Sequence, residues 1–228
     1  MKICAFADIH GNRVAWEAAL DLMLREDVDR YLYLGDSCGY YFDQLAVYAR
    51  LKHIPGLISV LGNHDRAFLE IAAGDENLRR LYLHTYGPST ELLLDSPHAE
   101  FKTWLQSQPD KTGIPEIKAL ACHGAPWNLL DGYVYPDTDA HRFQDYAVDF
   151  FFIGHTHHPM LREIGPQLII NPGSLGQPRN GQWPTYAVVD CLAKTVAFRE
   201  VRYDKQKLLA EIEARDDSPA YLKDVLLR

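Results

Sequence analysis

Residues 2–61 constrain the fold more than any other stretch of the chain. The apolar run KICAFA (2–7) reads as a strand. Apolar residues then recur at helical spacing over 12–27, with Asn12 placed to cap the first turn. DRYLYL (29–34) reads as a second strand, 43–52 as a second helix and LISVL (57–61) as a third strand. Strand, helix, strand, helix, strand is the signature of parallel βαβ units.

The pattern then changes twice. Residues 66–112 are mainly helical in character, with helices expected at 66–73, 75–86 and 98–107. EIKALAC (116–122) resumes the strands, and a helix at 138–148 leads into the strand DFFFI (149–153). Short runs at 160–164, 167–170, 185–190 and 195–203 are spaced like an antiparallel meander, with Pro and Gly between them. Helices follow from 204, with Pro219 opening the second. The expectation is a parallel half followed by an antiparallel half in one domain spanning 1–228. It is of the α/β (α+β) class, two mixed sheets face to face with helices outside, a four-layer αββα sandwich with a helical insertion at 66–112.

Composition narrows the function classes. The net charge of −8 argues against a broad nucleic-acid-binding or anionic-membrane surface. No apolar run approaches the ~20 residues of a membrane-spanning helix. MKICAFADIHGN turns polar too early for a signal peptide. Cys4, Cys38, Cys122 and Cys191 are widely spaced with no CxxC pair, which suits reduced residues of a cytoplasmic protein. Oligomeric state is not legible.

The ends of the expected strands share one chemistry. The first ends in Asp8-Ile9-His10-Gly11, the second in Gly35-Asp36 and the third in Gly62-Asn63-His64-Asp65. The fourth ends in His123-Gly124 and the fifth in Gly154-His155-Thr156-His157. An Asp cap and a surface His explain any one of these endings. Five caps in succession are a poor explanation of all of them. Asp8 and His10, like His155 and His157, stand two apart, so in an extended chain each pair faces one side. A mixed nitrogen and oxygen set suits borderline divalent ions. Seven candidate ligands exceed one site that leaves room for water, so two adjacent ions fit better than one. A mononuclear zinc hydrolase would leave Asn63 and an imidazole without a purpose.

In this order the blocks DxH, GD, GNHD, H-G and GHTH resemble the calcineurin-like metallophosphoesterases, over residues 3–190. The small prokaryotic phosphodiesterase branch is the most similar, through His123-Gly124-Ala125-Pro126, GHTHHP (154–159) and NPGSLGQPR (171–179). The resemblance implies that Asp8, His10 and His157 hold one ion and that Asn63, His123 and His155 hold a second, with Asp36 bridging them. Mn²⁺ is the expected metal, with Fe, Zn, Ni, Co and Mg as alternatives. It implies that a hydroxide held between the ions attacks phosphorus, that His64 assists the leaving oxygen, and that Asp65 orients His64 through a hydrogen bond. The implied activity is phosphodiester hydrolysis on small nucleotidic substrates. A phosphomonoesterase or protein phosphatase is the alternative, and a non-catalytic scaffold of the same fold is disfavoured because His64 and all seven ligand candidates are intact.

Four further signals have two readings each. Asn12 is either a substrate contact or a helix cap, and Arg66 either a phosphate contact or a surface ion pair. Arg179 is a phosphate-binding candidate or a surface residue. The NPGS stretch reads first as a turn beneath the site. Trp127, Tyr133 and Tyr135 either line a pocket that stacks a nucleobase or fill its walls. His158 breaks the phase of its neighbours and is expected to face away, and Cys38 to be packed.

Overall fold

The computed structural model describes residues 1–179, 181–215 and 220–227. Strand β1 (Lys2–Phe6) leads through α1 (Arg13–Met23) to β2 (Arg30–Tyr33), then through α2 (Gln44–Leu51) to β3 (Leu57–Ser59). Four helices follow: α3 (Asn63–Ile71), α4 (Glu76–Tyr86), α5 (Ser89–Leu94) and α6 (Ala99–Gln106). Then come β4 (Lys111–Ile114), β5 (Ala119–Cys122) and β6 (Phe150–Phe152). The hairpin β7 (Pro159–Ile164) and β8 (Gln167–Pro172) precedes the hairpin β9 (Thr185–Asp190) and β10 (Thr195–Glu200). Helices α7 (Lys205–Glu213) and α8 (Ala220–Leu227) end the described chain.

The strands form two five-stranded sheets, ordered β10-β9-β1-β2-β3 and β4-β5-β6-β8-β7. β1 is parallel to β2 and β2 to β3, while β9 joins β1 antiparallel. In the second sheet β5, β6 and β8 are parallel, flanked by antiparallel β4 and β7. Both sheets are therefore mixed. The expected antiparallel half does not exist as a unit, because its two hairpins go to different sheets.

Side-chain alternation explains the layers. Ile3, Ala5 and Ala7 face Phe150, Phe152, Leu168 and Ile170 in the core between the sheets. Cys4 and Phe6 face outward onto Trp16, Leu20, Val47 and Leu51 of α1 and α2. Phe151 likewise points away from the central core, onto Val134, Ala140 and Phe143.

Several boundaries differ from expectation. The helix expected at 66–73 starts three residues earlier, so Asn63, His64 and Asp65 occupy its first turn. Helix α5 and strand β4 were not legible, and Glu116 lies in a 3₁₀ turn (Pro115–Ile117) instead of a strand. The helix expected at 138–148 is one 3₁₀ turn, His141–Asp145. Only Ala140 and Phe143 of that stretch are buried against the sheet, too few to hold a longer amphipathic helix. The placing of Pro219 at a helix start lies outside the described residues. No helix among them is long and apolar enough to cross a membrane.

Candidate metal centre

The carboxyl ends of β1, β2 and β3 in one sheet and of β5 and β6 in the other converge, and every sequence-predicted ligand sits just beyond one of them. The same-side projection of Asp8 and His10 does not come from an extended chain. Asp8, His10, Asp36, His155 and His157 have φ values of 56°, 49°, 65°, 68° and 61°. Left-handed backbone costs a non-glycine residue about 1–3 kcal/mol, and such strain gathers where side chains must be aimed. Hydrogen bonds hold the strained loops: Asp8 N donates to Gly35 O at 3.0 Å, His10 N to Asp36 O at 3.0 Å and Gly176 N to Asp8 O at 2.8 Å. Gly62 is required by close approach, since a Cβ there would lie 2.0 Å from Asp36 Oδ1.

Two clusters result, Asp8–His10–His157 and Asp36–His123–His155, each with ligand atoms within 4.8 Å of one another. Asn63 joins the second, its Oδ1 2.9 Å from His123 Nε2. Asp36 Oδ2 stands 3.2 Å from His123 Nε2 and 3.8 Å from His10 Nε2, between the clusters.

The donor set fits cations by a test internal to the protein. His10 Nδ1 donates to Cys38 O at 2.7 Å, and His157 Nδ1 to Gln177 O at 2.8 Å. A carbonyl only accepts, so in each neutral ring the remaining Nε2 is a lone pair. Those two Nε2 atoms lie 3.0 Å apart. Burial lowers both pKa values, that of His10 to about 3, so neither ring carries a second proton at neutral pH. Two lone pairs pointed at one another repel unless a cation lies between them. Asp8 Oδ1 and Oδ2 and His155 Nε2 are also buried with no hydrogen-bond partner among the described residues. Buried polar atoms of this kind are expensive without a ligand.

His123 completes the set. Its Nδ1 donates to Leu34 O at 2.7 Å, tying the second sheet to the first. Burial pulls its pKa down, but the charge and hydrogen bond of Asp36, with Asp8 behind it, more than offset this and lift it to about 10. In the metal-free protein a proton therefore stands where a cation would.

Some predicted site residues have other roles. Asp65 makes no hydrogen bond to His64. Its carboxylate accepts from the backbone N–H groups of Asp36 (2.8 Å), Ser37 (2.9 Å), Cys38 (2.9 Å) and Gly62 (3.3 Å), so it fixes the loop carrying Asp36. Burial and then the Asp36 charge raise its pKa to about 6. His64 is positioned by rings instead: Tyr86 at 4.8 Å, Tyr40 at 5.0 Å, His10 at 5.1 Å and Tyr82 at 5.5 Å. Its backbone N–H donates to Asp36 Oδ1 at 2.8 Å. Asn12 is fully buried, accepts from Ala15 N at 3.0 Å as the α1 cap, and donates to Gly176 O at 2.9 Å. It is not placed to meet a substrate. Arg66 pairs with Asp110 at 2.6 Å, away from the centre.

Over the clusters lies a cavity of about 380 Å³, lined by Asp36, Asn63, His64, His155 and His157 from the centre. Arg179 lines it too, its Nη2 donating to Tyr40 Oη at 3.1 Å. Tyr133 stands at the rim over His155, with ring centroids 4.1 Å apart, and Tyr135 stacks behind it at 5.9 Å. Trp127 instead packs on Phe143 and under Arg142. His158 is absent from the lining and lies beside Tyr135, while Cys38 is buried. The NPGS segment is structural: Asn171 donates to Gly154 O at 2.7 Å and Ser174 to Asp8 O at 2.8 Å. Tyr86, from α4, and Tyr221 and Val225, from α8, also line the cavity. Nothing in their local sequence marks them, because they reach the site only through helix packing.

A family model described as the Calcineurin-like phosphoesterase superfamily domain matches residues 1–194. An uncharacterized protein of Methanocaldococcus jannaschii is 28% identical over 238 residues, covering 92% of this chain and 91% of that protein. The crystal structure of a metallophosphoesterase from Sphaerobacter thermophilus aligns with a TM-score of 0.81 at 26% identity, covering 100% of this chain and 98% of that one. A hypothetical protein from Pyrococcus horikoshii OT3 shares the fold with a TM-score of 0.81 at 19% identity, covering 99% and 97%.

Proposed function

The chain belongs to the calcineurin-like phosphoesterase superfamily, and from that premise we propose that it is a dinuclear metal-dependent phosphodiesterase acting on small nucleotidic phosphoesters. The observation that carries this reading is the pair of adjacent His/Asp clusters, with Asp36 between them, beneath one cavity that also presents His64 and Arg179.

Asp8, His10 and His157 are assigned to one ion, Asn63, His123 and His155 to the other, and Asp36 to both, with Mn²⁺ the expected metal. Two such ions supply Lewis acidity toward phosphoryl oxygens and lower the pKa of water. The chain's own residues do the rest. Carbonyls of Cys38, Gln177 and Leu34 fix the imidazole tautomers that leave Nε2 available. Arg179 offers a fork of N–H donors to a non-bridging phosphate oxygen. His64, kept neutral by burial, carries one ring N–H that it can donate to the leaving ester oxygen.

The aromatic rim favours a diester, because Tyr86, Tyr133 and Tyr221 line the cavity and suit a second ester substituent.

The test is hydrolysis of bis-p-nitrophenyl phosphate and p-nitrophenyl phosphate by metal-stripped protein, with and without Mn²⁺. Metal-dependent turnover that favours the diester supports the reading. Preference for the monoester refutes the diester assignment, and inertness toward both refutes catalysis on simple esters. His64→Ala should lower turnover by roughly 10²–10³-fold with metal content still near two. Near-full turnover in that variant would remove His64 from the chemistry.

A further inference from the structure

Beyond the family match, which ends at residue 194, α8 packs on α7 and stands against the cavity. Helix α8 shows two neighbouring faces, each marked by a pair of residues four apart in sequence. Leu222 and Leu226 are buried in a cluster with Tyr41, Leu208, Leu209 and Ile212, while Tyr221 and Val225 line the cavity. The helix is pinned at its far end, where Lys205 Nζ donates to Leu226 O at 2.8 Å. Tyr221 therefore stands on a packed wall.

Its surroundings are aromatic. The Tyr221 ring meets Tyr40 edge to face at 6.2 Å, and Tyr40 meets Tyr86 the same way at 5.2 Å. Tyr86, Tyr133 and Tyr221 come from α4, the loop after β5 and α8, and all line one cavity. The metal clusters and Arg179 supply charge on its floor. A bare phosphate needs the floor and has no use for three phenol rings. A cavity of about 380 Å³ is at the small end of the roughly 300–1,000 Å³ typical of small-molecule sites, so it suits one ring beside the phosphate.

We propose that Tyr221, delivered by the C-terminal hairpin, is a specificity-determining residue. With Tyr86 and Tyr133 it forms a subsite for a planar ring on the non-leaving side of the phosphoester. The proposal rests on the phosphoesterase reading for the position of the phosphate, and its test separates the two.

The experiment compares methyl p-nitrophenyl phosphate with phenyl p-nitrophenyl phosphate on the Mn²⁺-loaded full chain. The leaving group is the same, so the ratio of the two kcat/KM values reports the other substituent. The native chain should favour the phenyl ester by roughly tenfold, the scale of one stacked ring. Tyr221→Ala should bring the ratio close to one, and Tyr221→Phe should keep most of it. Val225→Trp, which fills the subsite without removing the tyrosine, should depress the phenyl ester selectively. Calorimetric binding of phenyl phosphate against inorganic phosphate gives a readout independent of turnover, and Tyr221→Ala should weaken only the former. An unchanged ester ratio in Tyr221→Ala and Val225→Trp, or equal loss on both esters, overturns the subsite even if hydrolysis is strong. Failure to hydrolyse either ester, with Tyr221-dependent binding of phenyl phosphate retained, overturns the catalytic reading and leaves the subsite standing.

Discussion

The two ligand clusters differ in how firmly the protein holds them. In Asp8–His10–His157 both imidazoles are tied by Nδ1 to backbone carbonyls, all three side chains are nearly inaccessible, and all three residues carry left-handed backbone. In the cluster around His123, only His123 is tied in that way. Asn63 is half-buried, and Asn63 and His155 both line the cavity. The first cluster is the more tightly tethered and reaches the cavity only through His157, whereas the second puts Asp36, Asn63 and His155 on the lining. The difference teaches that backbone tethers to the imidazoles are concentrated in the cluster with less exposure to the cavity.

The largest effect should come from erasing the link between them. Asp36→Ala removes the carboxylate between the clusters and the acceptor of the His64 N–H. Turnover should fall by at least roughly 10³-fold, with metal content by plasma emission dropping at both clusters. Retention of two ions would contradict the bridging assignment.

Next in size is the asymmetry itself. After dialysis His155→Ala should keep about one ion per chain and bind the second roughly 10–100-fold more weakly, whereas His10→Ala should lose more metal than that. Equal losses in the two variants would erase the proposed difference in rigidity.

The pH dependence should separate them further. His123, lifted to about 10 against the pull of burial, holds a proton that an ion must displace. Affinity at its cluster should therefore rise between pH 6.5 and 10, by up to about tenfold per unit, with proton release visible in buffer-dependent calorimetry. His10 and His157 carry no such proton there. On that side the competitor is the carboxyl of Asp8, raised by burial and then by Asp36. In the metal-free protein the raised His123 value stabilises the fold fully below pH 6.5. That contribution is lost as pH climbs through about 10, so the apoprotein Tm should decline across this window.

The smallest effects belong to residues outside both clusters. Asn12→Ala removes the α1 cap and the buried donor to Gly176 O and should cost about 2–3 kcal/mol in urea unfolding, with little direct effect on turnover. Arg66→Ala breaks one half-exposed ion pair and should cost about 0.5 kcal/mol or less, with KM within about twofold of native. A large rise in KM for Arg66→Ala would restore it to the substrate site.

Legibility followed the range of the interaction. The βαβ order was readable because apolar periodicity is local, as in KICAFA and LISVL. The partition of the last four strands was not, because β7–β8 and β9–β10 look alike as hairpins and only long-range pairing assigns them to different sheets. Helix α3 began earlier than periodicity suggested, since the first turn is fixed by Asp65 accepting from Gly62 N and from the neighbouring loop. The hydrogen bond from Asp65 to His64 that the resemblance implied is not made, because neighbours on a helix point about 100° apart and Asp65 turns to the loop carrying Asp36.

The sequence by itself determined the chemistry on offer, a set of Asp, His and Asn residues each placed after an apolar run, and with it the family. Only the tertiary structure decided how they combine. Each cluster draws residues from both sheets, and left-handed backbone at five positions aims the side chains inward. Tyr86 and Tyr221 join from helices far away in the chain. The physical reason is that ligand identity is covalent and local, whereas convergence depends on strand pairing and helix packing between segments far apart in the chain.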